Sequence, residues 1–174
     1  TSEASAELAR KLGIPVGTLE DIDQLDIAVD GADEVDPQCN LIKGFGGALV
    51  REKIVATSAR EFVILVGSEK LVPALGARQR VPIEVVPFAL GPCRRYLEKR
   101  GYASTLRMEN GRVYITDNGN QILDVHVAPP IEPHELEGML RAQPGVVGTG
   151  LFLGMADLVL VQDGSQIREL HPGQ

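Results

Sequence analysis

Leu25-Asp26-Ile27-Ala28-Val29 is a short apolar run that ends in Asp30-Gly31. A glycine-rich segment follows, Lys43-Gly44-Phe45-Gly46-Gly47, and then helical spacing from Ala48 to Ala59, with Leu49, Ile54 and Val55 able to share a broad face. Glu61-Phe62-Val63-Ile64-Leu65-Val66 comes next, almost continuously apolar and rich in β-branched residues. The first run reads as a buried strand meeting a loop, and the second as a strand covered on both faces. Strand, loop, helix and strand in that order predict a parallel sheet, because two parallel strands need a crossover between them. Asp157-Leu158-Val159-Leu160-Val161 reads as a further apolar strand, and Gly164 turns the chain into Gln166 to Leu170. Near the start, Ser2 suits an N-cap for a helix over Glu3 to Leu12, which Gly13 can end in the left-handed region.

The texture changes near Val81. Val81 to Val86 reads as a strand in which Pro82 restricts it to an edge or to its first residues. Leu90 to Arg100 reads as a helix with Pro92 in its first turn and Gly101 past its end. Ser104 to Glu109 and Arg112 to Thr116 read as strands joined by Asn110-Gly111, a two-residue hairpin signal. Asp117-Asn118-Gly119-Asn120 is a polar turn before Gln121 to Val127. Pro133 opens a helix that runs over Glu135 to Ala142, and Gly145 precedes a strand over Val146 to Leu153. The order β-α-β-β-(β)-α-β is that of a ferredoxin-like split βαβ unit. The expected fold is therefore α/β: a Rossmann-like, mostly parallel sheet layer over 1–78 plus 154–174, with a ferredoxin-like α+β lobe inserted over 79–153.

Composition narrows the partners. The chain has 174 residues, 44% hydrophobic and 24% charged, with a net charge of −7. These are globular values, and the acidic sign argues against nucleic acid or an anionic membrane as partner. Cys39 and Cys93 have neither metal-ligand nor redox spacing and build no disulfide framework, which fits a reducing cytoplasm. No apolar run approaches the roughly 18 residues that span a bilayer. Thr1-Ser2-Glu3-Ala4 lacks the order of a signal peptide and does not begin with Met, so processing or truncation is expected. His126, His134 and His171 are scattered, and Ser58, Ser68 and Ser165 lack a nucleophile-elbow context, so metal and covalent-nucleophile chemistry are disfavoured.

The window Asp30 to Lys53 carries the chemistry. Taken singly, Asp30-Gly31 reads as a turn, the glycine-rich segment as packing, and Glu52-Lys53 as a solvated helix face. Lys70, after Gly67-Ser68-Glu69, has no claim by itself. Their co-occurrence is what counts. Asp30 lies past a strand's carboxyl end, where open α/β sheets place ligands. Glycines let the backbone approach a ligand, and the helix start beyond them presents unpaired N–H groups. A carboxylate base, an acid/base pair and a fixed ammonium beside such a loop are the parts needed to abstract a proton next to a carbonyl and stabilise the enediolate that results.

Asp30-Gly31-Ala32-Asp33-Glu34, Ile42-Lys43-Gly44-Phe45-Gly46-Gly47-Ala48-Leu49 and Arg51-Glu52-Lys53-Ile54 resemble the signature of type A ribose-5-phosphate isomerases. Val81-Pro82-Ile83-Glu84-Val85-Val86-Pro87, Thr116-Asp117-Asn118-Gly119-Asn120, Pro144-Gly145-Val146-Val147 and Gly150-Leu151-Phe152 extend the resemblance through essentially the whole chain. It implies metal-independent interconversion of ribose 5-phosphate and ribulose 5-phosphate, with no cofactor. On this resemblance Glu52 is the base that moves a proton between C2 and C1. Asp30 and Asp33 contact sugar hydroxyls, one of them, Asp30 in the first place, assisting ring opening. Lys43 stabilises the enediolate, Gly31, Ala32, Gly44, Phe45 and Gly46 line the same loops, and Lys70 is a further substrate-binding lysine. A homodimer or homotetramer is implied, with the small lobe contributing to assembly.

The N-terminal strand and phosphate-gripping loop of that family have no match in this sequence, and Thr1-Ser2-Glu3-Ala4-Ser5 resembles the segment after them. The expectation is a chain less active and less stable than a longer form. A non-catalytic sugar-phosphate-sensing module of a regulator is the second reading, since fold alone does not fix function. It lacks the helix-turn-helix and basic face that such a regulator would need.

Overall fold

In the computed structural model, which describes residues 1–22 and 24–173, the parallel pair read from the sequence is present. After α1 (Glu3–Lys11) come β1 (Leu25–Asp30), β2 (Glu34–Val35), β3 (Leu41–Ile42), α2 (Leu49–Ser58) and β4 (Ala59–Gly67). β1 runs parallel to β4, with Leu25 opposite Ala59 and Asp30 opposite Ile64. Ser2 caps α1 by accepting the Ser5 N–H at 3.1 Å, and Gly13 has φ +72°.

The inserted lobe comprises β5 (Arg80–Val85), α3 (Leu90–Glu98), β6 (Ser104–Leu106), β7 (Met108–Glu109), β8 (Arg112–Val113), β9 (Gln121–His126), α4 (Pro133–Arg141) and β10 (Val146–Thr149). β11 (Leu151–Phe152), β12 (Leu158–Asp163) and β13 (Gln166–Leu170) complete the chain. β12 lies parallel to β4 and antiparallel to β13, giving the first sheet the order β1-β4-β12-β13. The lobe sheet has the order β10-β5-β9-β6, all antiparallel. In a β-α-β-β-α-β unit these are the fourth, first, third and second strands, the ferredoxin-like arrangement. Asn110 (φ +50°) and Gly111 (φ +76°) turn β7 into β8, as a two-residue hairpin with two left-handed positions requires.

Four local expectations are corrected or narrowed. First, the apolar strands of the first sheet are covered throughout on one face and only in part on the other. Ala28, Phe62, Ile64 and Val66 are buried on the first face; on the other Val63 is buried, but Ile27, Val29 and Leu65 are about half exposed. An unbroken apolar run cannot reveal which face a neighbour covers. Second, of the two places open to Pro82 the structure takes the strand's first residues and not an edge: β5 is internal, and Pro82 is its third residue. The Pro82 carbonyl accepts the Gly150 N–H at 2.7 Å, on the side where the ladder to β10 has already ended at Ile83, so the missing proline N–H costs no ladder bond. Third, the predicted strand over Ser104 to Glu109 breaks at Arg107, and that over Val146 to Leu153 breaks at Gly150. Fourth, Ile54 is exposed rather than on the inner face of α2.

The break at Gly150 sends β11 into a small sheet not foreseen from sequence, β11-β3-β2. This sheet stands between two cores. Leu41 and Phe152 pack with Phe62, Ile64 and Val159 on one side, while Ile42 and Leu151 pack with Ile83, Leu123 and Leu140 on the other. Period-two alternation makes this division possible within strands of two residues.

Candidate active site

The small sheet and the end of β1 position the charged residues. β1 delivers Asp30 at its carboxyl end, and the Asp30 Oδ1 accepts the next N–H, that of Gly31, at 2.8 Å. Lys43 directly follows β3 and donates its backbone N–H to Gly150 O at 2.8 Å. Its side chain is almost wholly buried. The ammonium lies 3.0 Å from Asp30 Oδ2 and 3.4 Å from Glu52 Oε2, and it also donates to the Gly31 carbonyl. A buried ammonium is tolerated because two carboxylates and a carbonyl surround it. Asp33 donates its N–H to Ile42 O at 2.8 Å and accepts the Phe45 N–H on Oδ2 at 2.9 Å.

Glu52 projects from the first turn of α2. The triplet Arg51-Glu52-Lys53 is not a solvated face; its members fan in three directions. Arg51 binds Asn118 Oδ1 (2.9 Å), Asp117 O (2.8 Å) and Glu3 Oε1 (2.7 Å). Lys53 donates to Leu151 O at 2.7 Å and lies 4.7 Å from the Phe152 ring centre. Burial lowers the Lys53 pKa, opposed by Glu137. Glu52 points to Lys43, and its Oε2 is buried without a hydrogen-bond partner. Burial holds the Glu52 carboxyl above its ordinary value; Lys43 opposes this, while Asp30 and Asp33 push the same way. Such a carboxylate is a stronger base than a solvated one, and the ammonium beside it can meet negative charge as it develops.

A cavity of about 200 Å³ is lined by Asp30, Gly31, Ala32, Asp33, Lys43, Gly44, Gly46 and Glu52. Eight of the residues singled out from sequence therefore share one cleft. Two do not line it. Phe45 contributes its N–H to Asp33 while its ring lies 3.8 Å from the Arg80 guanidinium, and Lys70 ends a 3-10 turn over Ser68–Lys70, half-buried. A larger cavity of about 760 Å³ opens on the lobe by Tyr102, His126, Ile131 and Met139, and contains none of them. Among the described residues, no group of three or more His, Cys, Asp or Glu side chains is placed to hold a metal ion.

The lobe supplies groups that the sequence reading passed over. Arg107 and Tyr114 reach the glycine-rich loop, the former through Gly44 O and Phe45 O, the latter through Gly46 O at 3.4 Å. Glu84 is fully buried, its Oε1 accepting from Thr116, Asn118 and Asn120. A usable signal existed: Glu84 and Asp124 are single carboxylates inside apolar strands, and a buried charge there demands a partner.

The family model of ribose 5-phosphate isomerase A (phosphoriboisomerase A) matches residues 1–166. A ribose-5-phosphate isomerase A of Roseiflexus sp. (strain RS-1) is 50% identical over 172 residues, covering 98% of this chain and 74% of the relative. A second, from Thermosynechococcus vestitus, is 49% identical over 177 residues, covering 98% of this chain and 75% of the relative. Among solved structures, the ribose 5-phosphate isomerase of Plasmodium falciparum superposes with a TM-score of 0.93 at 37% identity, over 99% of this chain and 77% of the other. A D-ribose-5-phosphate isomerase in complex with phospho-erythronic acid gives 0.92 at 41% identity, over 98% and 75%. With the match running through both cores and every residue lining the charged cleft, the chain belongs to the ribose 5-phosphate isomerase A family.

Proposed function

We propose that this chain is an aldose–ketose isomerase that interconverts D-ribose 5-phosphate and D-ribulose 5-phosphate, with Glu52 as the shuttling base. The observation that carries the assignment of roles is the single buried ammonium of Lys43 shared by two carboxylates, Asp30 at 3.0 Å and Glu52 at 3.4 Å, inside one cleft. In this reading Asp30 assists furanose opening by proton exchange with the anomeric hydroxyl. Glu52 takes the proton from C2 of the open aldose, and the electron pair moves onto the carbonyl oxygen to give an enediolate. Lys43 holds that oxygen while its charge develops. Glu52 returns the proton to C1 while the C2 hydroxyl proton passes to the C1 oxygen and the C2–O bond becomes the carbonyl, which completes the ketose. Asp33 fixes the loop through the Phe45 N–H, while Gly31, Ala32, Gly44 and Gly46 border the sugar. Lys70 is the outermost contact in this proposal, at the substrate's periphery.

The sensing-module alternative is set aside, because relatives of about half-identical sequence are named as isomerases over nearly the whole chain. We further propose a homodimer or homotetramer, on the family resemblance, and a cytoplasmic location, which the two buried free cysteines support. Among the described residues no helix is long and apolar enough to cross a membrane. Formation of ribulose 5-phosphate from ribose 5-phosphate by the purified chain tests the activity; absence of interconversion in either direction would overturn it.

A further inference from the structure

Arg107 sits in the break between β6 and β7, and its backbone is fixed on both sides: its N–H donates to Ile122 O at 2.9 Å and its carbonyl accepts the Tyr114 N–H at 3.0 Å. Its guanidinium is largely buried. Nε donates to Asp124 Oδ2 at 3.0 Å and Nη2 to Oδ1, a two-pronged pair. The remaining prong, Nη1, donates to Gly44 O at 2.7 Å and to Phe45 O at 3.1 Å. Arg80, 3.9 Å from the same Asp124, covers the Phe45 ring. The lobe thus grips two consecutive carbonyls of the glycine-rich loop with one fixed group.

Across a trans peptide, the carbonyl and the following N–H point in opposite directions. Holding Gly44 O toward Arg107 therefore turns the Phe45 N–H away from it, and that N–H meets Asp33 Oδ2. Holding Phe45 O toward Arg107 likewise turns away the Gly46 N–H. Gly46 borders the cleft with Lys43 and Glu52, and among the described residues nothing accepts its N–H. Gly44 at φ +96° supplies the left-handed bend, and with the Phe45 N–H taken by Asp33 the Gly46 N–H is the free backbone donor beside the cleft.

We propose that Arg107 is a positioning residue of the isomerisation: by fixing the Gly44 and Phe45 carbonyls, it presents the Gly46 N–H to the oxygen on which enediolate charge develops. The proposal rests on the isomerase reading and deepens it. A lysine at this position could oppose Asp124 but could not fork to the carboxylate and both carbonyls together.

Arg107→Lys is the selective test. The expected result is a kcat lower by about 10- to 100-fold, below the roughly 10²–10³ that losing an oxyanion donor outright costs, with KM for ribose 5-phosphate changed by less than about threefold. The melting temperature falls by only a few degrees, because a cation still faces Asp124 while the hydrogen bonds to the two loop carbonyls are lost. Backbone amide NMR reads the loop without reference to turnover. Phospho-erythronic acid, whose carboxylate carries a delocalised anion, moves the Gly46 amide resonance in the parent and leaves it unmoved in the variant. Asp124→Asn, which frees the guanidinium, is the second variant and shows the same pattern in weaker form. The proposal is overturned if Arg107→Lys keeps a kcat within about twofold of the parent, if kcat falls only in step with the melting temperature, or if the parent Gly46 amide ignores the acid. A parent chain that responds by NMR yet turns over no ribose 5-phosphate would overturn the isomerase reading and leave the Arg107–Gly46 linkage standing.

Discussion

Replacing Glu52 by Gln keeps the side chain's shape and deletes its charge, and the two consequences have opposite signs. Turnover falls. A positioned general base contributes about 10²–10⁴ in rate, and Gln cannot accept the C2 proton. Ribose 5-phosphate binding changes little, because the amide fills the same volume. Stability rises. The Glu52 side chain is only 15% exposed, and burial holds its carboxyl above the ordinary 4.5. A carboxyl whose pKa is raised by folding binds its proton more tightly in the native state, so stability decreases as pH climbs from the ordinary value through the folded one, and stays lower above it. Gln carries no such cost. Each pH unit of displacement is worth about 1.4 kcal/mol, and a chain of this size gains roughly 2–4 °C per kcal/mol. Lys43 is not orphaned, since Asp30 at 3.0 Å and the Gly31 carbonyl remain. The assay pairs enzymatic detection of ribulose 5-phosphate with melting scans at about pH 4 and about pH 8, below and above the window in which the native carboxyl loses its proton. The variant melts above the parent at the higher pH and with it at the lower. Turnover within about tenfold of the parent would refute Glu52 as the base, and a melting point lowered equally at both pH values would refute the burial argument.

Two further outcomes follow from the same geometry. The rate should fall as pH drops through the folded Glu52 value, and Asp33→Asn should move this acid limb to lower pH, because the Asp33 charge is one of the influences raising Glu52; kcat/KM against pH decides, and an unmoved or upward limb contradicts it. Gly150→Ala should lower the urea midpoint by the equivalent of about 1–3 kcal/mol, since a Cβ there would stand 2.3 Å from Lys43 O and 2.7 Å from Pro82 Cγ; an unchanged midpoint would show that the crossing is loose.

Elements with a long periodic signal were legible in the sequence. The β1-α2-β4 unit, the hairpin at Asn110-Gly111 and the two lobe helices all form where spacing and turn chemistry place them. The cleft was legible too, because Asp30, Lys43 and Glu52 lie within a short window joined by glycines. What escaped were features that depend on distant partners. β2 and β3 are two residues each, too short for any period to register, and β11, which completes their sheet against β3, arrives from more than a hundred residues away. Arg107 interrupts a predicted strand, and its partners, Asp124 and the loop carbonyls, come to it only through the fold. Lys70 was singled out by resemblance, and the cleft is lined without it.

The inserted lobe is joined to the charged cleft at the backbone level. Gly150 donates to Pro82 O at 2.7 Å and accepts from the Lys43 N–H at 2.8 Å, so one residue ties β5 of the lobe to the backbone of the site lysine. Gly150 has no side chain because none fits between these two chains. From there Lys53 fastens α2 to Leu151 O, and Arg107 fastens the intervening loop. Attachments thus run from Gly150 to Lys43, from the adjoining Leu151 to the helix carrying Glu52, and from Arg107 of the lobe to the loop between them. An ammonium and a carboxylate held 3.4 Å apart in a largely buried cleft would otherwise relax toward solvent. Stability of the lobe and turnover in the cleft should accordingly fall together when the crossing at Gly150 is disturbed, even though no lobe side chain lines the cleft itself.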